Sequence, residues 1–121
     1  MRGIILAIIL LLQTVGTAYA GQADVLKIEV ERTGENTFHF DVTVLHNDED
    51  WDHYANRWDV LAPDGNVLAT RVLHHPHENE QPFTRSLGGV KIPASINNVS
   101  IRAHDSVHGY GGKIQTIQLP R

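Results

Sequence analysis

The sequence predicts an all-β fold, a seven-stranded antiparallel β-sandwich. Apolar and polar residues alternate over short runs, turn residues punctuate those runs, and only residues 49–62 also support a helical reading. Such alternation presents one apolar face per strand, and two such faces must cover each other.

The chain opens with Met1, Arg2 and Gly3, an apolar run from Ile4 to Leu12, and the small-residue exit Ala18-Tyr19-Ala20. A positive start, a short hydrophobic segment and an A-x-A site make a secretory signal peptide, too short for a permanent membrane span. The expected organisation is therefore a leader over 1–20 and one domain over 21–121, periplasmic or secreted.

In the first run Leu26, Ile28 and Val30 alternate with charged residues, and Gly34-Glu35-Asn36 ends it. Phe38, Phe40, Val42 and Val44 then alternate with polar partners, which completes two antiparallel strands. The third strand carries Trp58, Val60 and Ala62 and turns through Ala62-Pro63-Asp64-Gly65, a type I turn with proline second and glycine fourth. Residues 66–73 return.

The fifth strand starts at Phe83 and continues past a Gly88-Gly89 bulge to Ile92, the sixth holds Val99, Ile101 and Ala103, and the last runs from Lys113 to Leu119. Trp51, Tyr54, Ala55, Trp58, Leu61 and Ala62 also share a helical face, which Asn47 or Asp48 could cap. The hairpin pattern about Pro63 favours a single helical turn at 49–55 over a full helix. Seven short strands, with Trp58 on the third, resemble the immunoglobulin and fibronectin type III sandwich, and the likeness implies the fold alone.

A leader-free chain of 101 residues can bury one core, and with no cysteine it has neither disulfides nor a lipid-modified cysteine to help it. Loss of Arg2 takes the formal charge from −4 to −5, which disfavours nucleic acid and anionic membranes as partners. The single methionine is Met1, so soft ligands for Cu(I) or a blue-copper centre are missing from the mature chain.

In sequential antiparallel strands the connections alternate between two ends. Seven of the eight histidines fall in the three connections of one end, residues 46–55, 74–82 and 104–112, although these hold only 28 of the 101 positions. They are His46 and His53, then His74, His75 and His77, then His104 and His108; the other end has none. Neutral imidazole is the commonest protein ligand for Zn2+ and Cu2+, and carboxylates can complete the shell. Asp48, Glu49, Asp50, Asp52, Glu78, Glu80 and Asp105 lie in the same loops.

The candidate ligands are thus His46, His53, His75, His77, His104 and His108, with His108 folding back toward His104. The reading is that of an exported binding module, no enzyme, taking Zn2+ or Cu2+. The alternative is an accessory domain that binds another exported protein through the same loops without metal, using Trp51, Tyr54, Phe83 and Tyr110 as anchors. A third reading pairs His104 and Asp105 with Ser106 as catalytic groups, but adjacency in sequence does not build an aligned triad.

Each signal also has a plainer account. The histidines of the middle loop can cap carbonyls or pack on aromatic rings, and His39 reads as a surface residue. Arg57, Arg71 and Arg102 with Asp59 read as a surface ladder of charge pairs. Asp48 to Asp52 lacks the spacing and glycine of an EF-hand loop, and Asn98-Val99-Ser100 is a glycosylation sequon.

Overall fold

The computed structural model describes residues 22–47, 51–77 and 79–121; the expected leader lies outside them. Among the described residues there is no helix, and seven strands run in the expected order: β1 (Asp24–Gly34), β2 (Thr37–Leu45), β3 (Ala55–Leu61), β4 (Val67–Val72), β5 (Phe83–Lys91), β6 (Asn98–Asp105) and β7 (Gln115–Gln118). They form two antiparallel sheets, β1-β2-β5 and β4-β3-β6-β7. This is the sandwich the alternation predicts.

Residues 51–54 form a turn and a bend, and β3 begins at Ala55, so the helical turn expected over 49–55 is corrected in its described part. Tertiary pairing decides this. Ala55 pairs with Asp105 and Trp58 with Ala103 across the sheet, which requires extended backbone. At the opposite end the Pro63 turn forms as read, with Gly65 N–H donating to the Ala62 carbonyl at 2.9 Å and Gly65 at φ +93°.

The core lies where the two inner faces meet. Val25, Phe38, Phe40, Val42, Val44, Phe83 and Val90 from one sheet pack against Trp58, Val60, Val99, Ile101 and Ala103 from the other, with Trp58 wholly buried. In β2 every second residue is buried from Phe38 to Val44, and in β6 every second residue from Val99 to Asp105. These two strands set the geometry of the site, because their inward rows run on past the hydrocarbons to polar residues.

Candidate metal centre

The inward row Phe38-Phe40-Val42-Val44 is extended two positions further by His46, 1% exposed, just beyond the end of β2. The row Val99-Ile101-Ala103 ends on Asp105, also fully buried. His53 stands two residues before the buried Ala55, on the segment that leads into β3. A period of two residues thus carries an imidazole and a carboxylate into the same end of the sandwich from opposite sheets.

Asp105 Oδ2 is the focus. His46 Nε2 lies 3.0 Å from it, His53 Nε2 3.1 Å and His108 Nδ1 3.0 Å. The rings of His46 and His53 meet edge to face, and those of His53 and His108 are tilted, each pair with centroids 5.0 Å apart. His46, His53 and Asp105 each offer a ligand atom within 4.8 Å of the others. Ligands 2.0–2.2 Å from one tetrahedral zinc ion stand roughly 3–3.5 Å apart, which the separations of the three nitrogens from Oδ2 match, and the compact donor group comprises His46, His53 and Asp105.

The other oxygen, Oδ1, accepts the backbone N–H groups of Val107 at 2.6 Å and His108 at 2.9 Å. Burial pushes the Asp105 carboxyl up, but those two N–H groups and the rings of His108 and His46 outweigh it and hold the group well below the usual carboxylate range. Asp105 is therefore ionised at neutral pH, the state a metal ligand needs.

The remaining candidate histidines stand apart from this focus. His75 and His77 lie with ring centroids 5.0 Å apart, and His77 stacks on Phe83 at 4.0 Å and 11°. They line a cleft of about 450 Å3 with Trp51, Asn79, Glu80 and Arg85. Gln81 ties that cleft to the buried cluster, accepting the His46 N–H and donating to the His77 carbonyl, both at 2.9 Å. His74 is exposed.

His104 points to the outer face of its sheet, because neighbours on a strand project to opposite sides and Asp105 projects inward. Its Nδ1 lies 2.6 Å from Asn56 Oδ1, and its ring meets Tyr110 edge-on. Burial and the nearby Arg57 guanidinium push its pKa down, favouring the neutral ring. His108 consequently folds back to Asp105 and not toward His104. Ser106 Oγ accepts the Tyr54 N–H and donates to the Asp52 carbonyl.

Tyr110 anchors the β6–β7 loop to the same outer face. Its hydroxyl donates to Asp59 Oδ2 at 2.9 Å and accepts from Arg57 Nε at 3.1 Å, while the Arg102 guanidinium lies 3.8 Å above its ring and Arg102 Nε donates to Asp59 at 3.0 Å. Asp59 is only 2% exposed, so the expected surface ladder is instead a covered polar network. Arg57 and Arg102 alternate as read, but the tyrosine from the loop closes over Asp59, and Arg71 donates instead to the carbonyls of Ser86 and Val72.

As a metal ligand Asp105 is, in the sequence, one carboxylate among seven in these loops. The signal that marks it is the alternation itself, continued past Ala103 to the next inward position. The same extension past Val44 singles out His46.

No protein-family profile and no solved structure matches the chain. Over 96 residues, 79% of its length, the chain is 35% identical to a protein of Halomicrobium mukohataei whose name describes it as a lipoprotein. The chain spans about half of that relative, 47% of its length.

Proposed function

We propose that this protein is an exported binding module that holds one Zn2+ or Cu2+ ion on His46, His53, Asp105 and His108. The observation that carries the reading is the convergence of three imidazole nitrogens, 3.0–3.1 Å away, on one oxygen of a buried carboxylate. One carboxylate oxygen has two lone pairs, one fewer than the rings aimed at it, whereas an ion seated among them would use the lone pair of every ring. A set of three nitrogens and one oxygen, without sulfur, suits borderline divalent ions.

Export is supported by the leader-like N-terminus and by the name of the Halomicrobium relative. The role we assign is carriage or buffering of the ion outside the cytoplasm. We assign it no reaction.

Zinc titration of the purified protein against a chromophoric competitor tests this. One equivalent should bind with a Kd below about 10 µM. Substitution His46→Ala should weaken binding by more than about a hundredfold, since losing a direct ligand costs more than the 10–100-fold typical of an outer partner. His75→Ala and His104→Ala should bind as the parent does. Absence of saturable binding, or parental affinity in His46→Ala, would overturn the assignment.

One observation favours a second use of the same end. Trp51 is 65% exposed at the cleft and is held edge-on by Tyr54 at 5.7 Å, an aromatic platform suited to a protein partner. A partner retained in chelator but lost with Trp51→Ala would establish that surface, and a partner released by chelator would return the argument to the ion.

A further inference from the structure

We infer that His108 is the exchangeable ligand of this centre, the one that an incoming imidazole from another protein displaces while His46, His53 and Asp105 keep hold of the ion. The inference rests on the metal-binding reading above and adds the route by which the ion is passed on.

Exposure divides the four donors. The side chains of His46 and Asp105 are 0% exposed and that of His53 15%, whereas that of His108 is 42% exposed. The three donors whose ligand atoms lie within 4.8 Å of one another are the less exposed ones, and His108 joins them through Oδ2. An arriving ligand therefore meets the centre at His108 and nowhere deeper.

The carrying elements divide in the same way. His46 and Asp105 terminate the inward rows of β2 and β6, so neither ring nor carboxylate can leave without breaking core packing. His108 sits on the turn between Asp105 and Gly109, whose backbones exchange two hydrogen bonds of 3.0 Å, with Gly109 at φ +74° where a side chain is disfavoured. The backbone N–H of His108 is itself held by Asp105 Oδ1 at 2.9 Å. The loop thus stays in place, and the imidazole departs by side-chain rotation alone, the fastest motion open to an exposed residue.

The exchange balances simply. The incoming nitrogen donates its lone pair as the His108 Nδ1 dative bond breaks, the freed ring turns to water, and the ion keeps three nitrogens and one oxygen. A donor of the same kind replaces the one that leaves, so the set the ion prefers is preserved through the transfer.

Cobalt(II) and imidazole serve as probes, because the visible bands of bound Co2+ report its coordination. The parent protein should bind one Co2+, and its bands should hardly move with modest imidazole, because an imidazole that displaces His108 replaces one ring nitrogen by another. His108→Ala should still bind one Co2+, with a loss smaller than the roughly hundredfold one expected of His46→Ala because water can take the exposed position that His108 leaves, and with altered bands that added imidazole restores to the parental form. His46→Ala should lose binding far more completely.

If His108→Ala is indistinguishable from the parent, or loses the ion as completely as His46→Ala, or gives bands that imidazole does not change, the inference on His108 is overturned while the metal site stands. If the parent takes up no cobalt, the metal-binding reading falls with it.

Discussion

Asp105 does two jobs with two oxygens: Oδ1 holds the turn that carries His108, and Oδ2 receives three rings. Replacing it by asparagine leaves an amide N–H2 facing groups that need an acceptor. Even without metal, Asp105→Asn should destabilise the fold by about 3 kcal/mol or more, since a buried charged acceptor is lost, and urea unfolding would read it. An unchanged midpoint would mean that the rings do not depend on the carboxylate. Among the residues, parity decided what could be foreseen. Crowding of histidines at one end follows from counting connections, but which of them face inward follows from position on the strand, and His104 beside Asp105 shows that one step changes the outcome. His77 stacks on Phe83, and His75 packs beside it at the neighbouring cleft.

The β6–β7 loop, which the sequence marks by His108 and Tyr110, is fastened at two points beyond its bonds to Asp105. Tyr110 closes over Asp59 on one side, and on the other Lys113 N–H donates to Asp24 Oδ1 at 2.7 Å while Val25 N–H donates to the Lys113 carbonyl at 2.9 Å. Gly112 passes so close to β1 that a Cβ there would stand 1.8 Å from the Ala23 carbonyl oxygen. Gly112→Ala should therefore push the loop off β1 and cost about 1–3 kcal/mol in thermal or urea unfolding, and a neutral result would place the loop elsewhere. The tyrosine network also has an acid signature. Burial raises the pKa of Asp59, but the hydroxyls of Thr70 and Tyr110 and the Arg102 guanidinium outweigh it and hold the carboxyl below its ordinary value. A carboxyl lowered in the folded state adds stability that is present above its unfolded pKa of about 3.9 and is lost as pH falls through the lower folded value. Stability of the parent should fall through that acid range, and Asp59→Asn should remove part of the slope; equal slopes would show that the network does not favour the charged form.

In the whole molecule the core and the candidate centre share one row of residues. The end of the sandwich that lacks histidine is closed by tight turns such as Ala62 to Gly65, and the other end is closed by the cluster on Asp105. Strand number, turn chemistry and the burial of Trp58 were legible in the sequence because alternation is local. The division into β1-β2-β5 and β4-β3-β6-β7 agrees with the sandwich likeness, whereas the path of residues 51–54 was not legible, because pairing of β3 with β6 overrides the local helical pattern. Trp58→Ala should cost about 3–5 kcal/mol, as expected for a large side chain removed from a packed centre. Zinc should raise the melting temperature of the parent, because an ion that binds only the folded state adds about 2.7 kcal/mol at a hundred times its Kd.

Nitrogen-15 NMR of the imidazoles during zinc titration examines the proposed centre atom by atom. Coordination should shift the Nε2 signals of His46 and His53 and the Nδ1 signal of His108 together at one equivalent, leaving those of His39, His75 and His104 in place. Shifts confined to His75 and His77, or none at all, would contradict an ion seated at Asp105.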